Sequence, residues 1–85
     1  MHTVDLLDQA LRAAQTLGYR IREDWLDAPG GGCEIRGEKW LLLDLASSPL
    51  EKLHIVADVL ARERAERQAE LAPALQTFLA HRRAA

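Results

Sequence analysis

The stretch from Trp40 to Ala61 limits what this chain can become more than any other. Trp40-Leu41-Leu42-Leu43-Asp44-Leu45 is the most apolar run in the sequence. A strand apolar on both faces needs cover on both, which argues for a central place in a sheet. Ser47-Ser48-Pro49-Leu50-Glu51 follows. Ser48 and Glu51 have the spacing of a reciprocal helix cap, in which each side chain accepts from the other residue's backbone N–H. Pro49 then falls at the first helical position, where a missing N–H is tolerated. Leu53, Val56, Ala57 and Leu60 recur at helical spacing. The expected unit is a buried strand feeding a capped core helix.

The remaining elements are read outward from that unit. Val4, Leu7, Leu11 and Ala14, widened by Leu6, Ala10, Ala13 and Leu17, predict a helix over 3–17. Thr3 is its expected N-cap, Asp5 sits in its first turn, and Gly18 suits the left-handed residue after its end. Residues 19–26 alternate: Tyr19, Ile21 and Trp25 point one way, Arg20, Arg22 and Asp24 the other, and Glu23 interrupts the apolar side. Residues 27–32, with Pro29 and three glycines, predict a loop. Cys33–Arg36 is a short strand, Gly37-Glu38 a hairpin turn, and 39–45 the third strand. The apolar third strand favours the spatial order first, third, second, with a simple meander as the alternative.

Beyond Leu60 the apolar stripe thins. Residues 62–70 are helix-favouring and polar, with Glu63 and Arg67 attractive and Glu66 and Glu70 repulsive at i, i+4. Pro73 is expected to end or kink that helix. Leu71, Leu75, Phe78 and Leu79 form a second apolar stripe, and Arg82 and Arg83 place cations at its C-terminal end. The fold class expected is α+β, in the order α-β-β-β-α(-α). A small three-stranded mixed or antiparallel sheet is packed by helices. Residues 1–85 form one domain, with a core over 1–61 and a helical extension over 62–85.

Composition narrows the function classes. The net charge is −2, with both signs mixed along the chain, so nothing favours nucleic acid or an anionic membrane as partner. No apolar run approaches the roughly 20 residues that span a bilayer. Asp5 and Asp8 break up the N-terminus, unlike a signal peptide. The single cysteine cannot form an internal disulfide, and a reducing, cytoplasmic location fits.

Candidate chemistry is sparse. His54 and Asp58 lie one helical turn apart and could share a metal, but a zinc site needs a third protein ligand. An exposed polar helix edge is the commoner meaning of such a pair. Cys33 with His54 could form a thiolate pair, although a lone cysteine opening a strand is more often a small packed residue. Gly30-Gly31-Gly32 could bare N–H groups to an anion, yet phosphate loops lead into a helix and here a strand follows. Arg62, Arg64 and Arg67 alternate with glutamates, as on a solvated face. Trp25 and Trp40 are most simply core residues; on an open sheet face, either becomes an interface anchor.

One resemblance rests on the order of these segments. Leu17-Gly18-Tyr19-Arg20-Ile21, the glycine loop, Arg36-Gly37-Glu38-Lys39-Trp40-Leu41-Leu42-Leu43-Asp44 and Ser48-Pro49-Leu50-Glu51 together resemble the front of the ImmA/IrrE-like zinc peptidases. The resemblance covers roughly residues 5–62 and implies a helix–sheet–helix shape. In that family the following helix carries H-E-x-x-H. Here Asp58, Val59 and Arg62 stand at the first histidine, the glutamate and the second histidine. Shifted by one, the residues are Ala57, Asp58 and Ala61. Neither register supplies a histidine pair with a glutamate base, so the resemblance implies a zincin-like scaffold without the peptidase's metal chemistry.

The resulting expectation is a non-enzymatic protein that self-associates or docks on another protein, with no cofactor and no metal. Leu71, Leu75, Phe78 and Leu79 are the expected contact residues, because an amphipathic helix must bury its apolar face somewhere. A helix folded back on its own sheet is the alternative. A metal- or thiol-dependent protein using Cys33, His54 and Asp58 is the rival from another class.

Overall fold

The elements follow in the order α1 (Thr3–Thr16), β1 (Arg20–Asp24), β2 (Gly30–Ile35), β3 (Glu38–Asp44), α2 (Pro49–Leu60), α3 (Ala65–Gln68) and α4 (Pro73–Ala84). This computed structural model describes the backbone of residues 2–84 and the side chains of residues 2–82. The fold is α+β around a three-stranded mixed sheet of order β1-β3-β2. β1 runs parallel to β3 and β2 antiparallel to it. The most apolar strand is therefore central, as its sequence required.

Register decides which side chains meet the helices. Ile21 pairs with Leu41 and Glu23 with Leu43, while Gly32 lies opposite Leu41 on the other side. Leu41 and Leu43 are fully buried. A Cβ added at Gly32 would meet Val59 of α2 and Tyr19, so these positions face the helical layer. Glu23, the charge that interrupts the apolar side, is taken up by Lys52 of α2 at 3.4 Å. On the same face Lys39 lies over the Tyr19 ring and reaches Glu63 at 3.4 Å.

The local signals explain most element ends. Tyr19 N–H donates to Ala14 O and Gly18 N–H to Gln15 O, both at 3.0 Å, which is a Schellman end with Gly18 at φ +97°. Ser48 Oγ accepts from Glu51 N–H at 3.2 Å, and Glu51 Oε1 accepts from Ser48 N–H at 2.9 Å. At the start of α1 the expectation is off by one residue: His2 is the N-cap, without a side-chain bond, and Thr3 is already helical. Val4, placed on the apolar face by its spacing, is more than half exposed at that frayed end.

Two corrections concern the hairpin and the glycines. The turn is Arg36-Gly37, not Gly37-Glu38, and both residues have positive φ, 52° and 80°. That is the primed geometry that matches strand twist. The three glycines expected in a loop are the first half of β2, paired with Leu43, Leu42 and Leu41.

A third correction concerns residues 61–84. The polar stretch does not continue α2; the chain turns at 61–63 and makes only the short α3. Gln68 Nε2 donates to Ala61 O (3.2 Å) and Glu63 O (2.7 Å), and Gln76 Nε2 to Ala69 O (3.1 Å) and Leu71 O (2.7 Å). The two glutamines satisfy carbonyls that a straight helix would have bonded, so the chain can turn twice. Pro73 does not end the preceding helix. It is the first residue of α4, a position that suits its fixed φ. The Arg83 side chain expected to close α4 lies outside the described residues.

Ser48→Ala is expected to lower stability by about 0.5–2 kcal/mol, read as a shift in the denaturation midpoint at unchanged slope. Bonds from Ser48, its backbone N–H first, hold the Glu51 carboxyl below the ordinary glutamate range. The sign follows: this contribution is present above the unfolded-state value and is lost as pH falls through the lower folded-state value. The contribution that Glu51→Gln removes should therefore be present at neutral pH and fade on acidification.

Candidate interaction surface

The structure separates the candidate catalytic residues. His54 and Asp58 share one face of α2 as their spacing demands, but Arg82 of α4 occupies it. Arg82 Nε donates to His54 Nδ1 at 3.2 Å, and its guanidinium forms an ion pair with Asp58. The Phe78 ring lies against His54 with centroids 5.6 Å apart. This is an electrostatic clamp between two helices. Cys33 pairs with Trp40 on the sheet face opposite Gly32, so the sheet lies between its thiol and His54 on the helical side. Among the described residues, no group of three or more His, Cys, Asp or Glu side chains is placed to hold a metal. At the positions matching the zinc-peptidase motif, Asp58 is bonded to Arg82, Val59 is buried and Arg62 lies in the turn beyond α2.

The glycine run also has a packing role. Gly30 has φ +96°, and a Cβ there would lie 2.1 Å from Leu42 O. At Gly32 a Cβ would lie 3.0 Å from Val59 Cγ2. These glycines let β3 and α2 approach β2 closely. Arg62 and Arg64 are exposed in the turn between α2 and α3, and Arg67 is exposed on α3.

The expected contact residues at the C-terminus are buried within their own chain. Leu71, Leu75 and Leu79 are 9%, 0% and 2% exposed, and Phe78 packs on the same cluster. That cluster also contains Leu53, Val56, Leu7 and Leu41, so α4 folds back on the helical layer. Burial of three leucines contributes about 1.5–3 kcal/mol each as an upper value, enough to hold α4 there.

Val4, Leu45 and Leu50 are exposed singly, while a partly exposed apolar surface lies on the sheet's other face. The strand period places Arg20, Arg22 and Asp24 of β1 there, with Glu38, Trp40, Leu42 and Asp44 of β3 and Gly31, Cys33 and Ile35 of β2. Trp40, Leu42, Ile35, Leu26, Arg22 and Asp24 line a shallow depression of about 320 Å³. Ile35 is 47% exposed, and Trp25, just past β1, is 73% exposed. Trp25 leaves the strand because Asp24 Oδ1 accepts its N–H at 2.8 Å. Asp44 acts similarly at the end of β3, accepting from Leu26 N–H (3.4 Å) and Ala46 N–H (3.0 Å).

Electrostatics frame this face. Arg20 Nε lies 3.3 Å from Glu38 Oε2, and its guanidinium stands 5.8 Å from the centre of the Trp40 ring. Arg22 pairs with Asp24 at 3.1 Å. The Trp25 N–H, then Arg22, hold the Asp24 carboxyl below its ordinary range. The sequence offered one signal for this surface: β3 is apolar on both faces, yet only one face receives the helices.

No known protein family, curated protein or solved structure matches the chain.

Two outcomes follow. Protein purified without added zinc should carry no stoichiometric metal, and His54→Ala should leave metal content unchanged, measured by elemental analysis. Leu75→Ala should cost about 2–5 kcal/mol without altering mass in solution. An unchanged denaturation midpoint with a changed mass would instead place α4 on a partner.

Proposed function

We propose that this chain is a small non-enzymatic interaction protein that uses its open sheet face to hold another protein or a second copy of itself. The observation that carries the reading is the apolar centre of that face, half-buried Trp40 and Leu42 with exposed Ile35, beside paired charges on β1. Interfaces have this anatomy, an apolar centre with a polar rim, and tryptophan is enriched among the residues that dominate binding. The separation of Cys33 from His54, and the occupation of the His54–Asp58 pair by Arg82, support a non-catalytic role. The zinc-peptidase resemblance fits the same reading, as a scaffold whose helix carries the Arg82 clamp in place of a metal.

No helix among the described residues is long and apolar enough to cross a membrane. The exposed, unpaired Cys33 fits a reducing compartment, and we place the protein in the cytoplasm. The mixed charges of the face offer no basic stripe to a nucleic acid.

The test uses a photo-crosslinking residue at Ile35 and, as control, at exposed Glu66 of α3, in the cells that make the protein. Discrete covalent adducts are expected from position 35 and not from position 66. Trp40→Ala should weaken formation of those adducts by about 30-fold or more, the loss typical of a buried tryptophan anchor. Equal adducts from both positions, or none from position 35, would remove the open face from this role.

A further inference from the structure

The open face is lopsided. Its charged column, β1, lies at one border, and its apolar columns, β3 and β2, run to the other. The two sheet edges differ in the same sense. β1 reads Arg-Ile-Arg-Glu-Asp, an edge defended by charge. β2 reads Gly-Gly-Gly-Cys-Glu-Ile, with no lysine, no proline and one charged side chain. Natural edge strands are usually blunted against pairing, and β2 has almost none of these devices.

The hairpin identifies the unused backbone groups. The two-residue turn Arg36-Gly37 makes Ile35 and Glu38 a hydrogen-bonded pair, and bonded and non-bonded pairs alternate along the ladder. Ile35 and Cys33 therefore turn their N–H and C=O groups to β3. Gly32 and Glu34 turn theirs to the outer edge, where no backbone bond from elsewhere in the described chain meets them; Gly30 and Gly31, both at positive φ, depart from the regular ladder.

We infer that β2 pairs antiparallel with β2 of a second copy about a two-fold axis at Gly32, joining two three-stranded sheets into one. This rests on the open face being the binding surface, and it names the copy that completes it. In this register Glu34 lies opposite Gly30 of the other copy, so no like charges face each other. Ile35 and Arg36 run on past the partner strand toward the chain that enters it. The two-fold axis is perpendicular to the sheet, so both open faces look the same way. The apolar columns become the middle of the joined face and the charged β1 strands its two borders. At a strand spacing of about 4.8 Å, the two Trp40 columns stand about 14 Å apart. A partner reading both copies binds bivalently.

The contact is small. A strand of this length gives about 16–20 Å of pairing, well short of the roughly 800 Å² per partner of a standard stable interface. The dimer is therefore reversible and forms at tens to hundreds of micromolar.

Sedimentation equilibrium of the full chain over about 10–500 μM tests this, with a short bismaleimide linking Cys33 to Cys33 as a second readout, since the chain has one cysteine. Wild type should dimerise and crosslink. Glu34→Pro removes an N–H that points to the free edge and no bond to β3. It should weaken dimerisation at least tenfold and abolish the crosslink while the circular dichroism spectrum is kept. The Gly32 and Glu34 amides should exchange hydrogen more slowly as concentration rises, and this readout serves if the proline variant does not fold. A wild type monomeric throughout the range overturns the inference. So does a dimer untouched by a folded Glu34→Pro, or one whose Gly32 and Glu34 amides exchange as fast as in the monomer. A dimer lost in Trp40→Ala but kept in Glu34→Pro places the second copy on the open face and also overturns edge pairing. If the dimer fails while adducts from position 35 to a different protein persist, the interaction reading stands and only the self-pairing falls.

Discussion

The contact of α2 with the sheet at Gly32 is the constraint on which the rest depends. Val59 Cγ2 lies where a side chain at position 32 would begin, 3.0 Å from the place of its Cβ. That closeness brings Leu53, Val56, Ala57, Val59 and Leu60 into burial, so α2 has a wide apolar face and one exposed strip through His54 and Asp58. An apolar face that wide needs more than one neighbour. The sheet lies beneath α2, α1 packs beside it, and α4 supplies the rest through Leu71, Leu75 and Leu79. The Arg82 bridge to His54 and Asp58 fixes α4 over the exposed strip of α2.

This arrangement has a cost on the other side of the sheet. A chain of 85 residues carries few helices, and α4 packs on the helical layer. The second face of β3 receives no helix, and Trp40 and Leu42 remain only half-buried there, although they give it a core strand's composition. Two observations therefore belong together: the C-terminal stripe expected to reach a partner is buried, and the strand expected to be covered on both faces is open. The apolar surface available to a partner moved from the helix to the sheet.

What was legible in the sequence was local. The Ser48–Glu51 cap, the Gly18 helix end and the central place of β3 each depend on a few neighbouring residues, and each appears as read. The glycine run was misread because Gly-Gly-Gly next to Pro29 has turn chemistry. Only the tertiary approach of Val59 and Leu42 explains glycine inside a strand. The break after Leu60 was hidden because residues 62–70 have good helix propensity. The turns there rest on Gln68 and Gln76 reaching carbonyls five and seven residues back, a pairing no helical periodicity shows. The direction of Trp40 was open for a similar reason. Alternation within β3 is silent when both faces are apolar, and only pairing with Arg20 and Cys33 assigns its side.

That side is already organised without a partner. Arg20 bonds Glu38 and stands against the Trp40 ring, which restricts the indole before anything binds. Arg22 is held by Asp24 in the same way. Exposed ion pairs of this kind add little stability. Burying them removes water that they still need, and the attraction between partners seldom makes up the difference. A partner that covered the β1 column would meet that penalty, whereas one seated over Trp40, Leu42 and Ile35 leaves the pairs at its rim. The charges of β1 thus act as a border. For the contact proposed above, they would direct a partner toward β3 and β2, the half of the face that ends at the glycine edge.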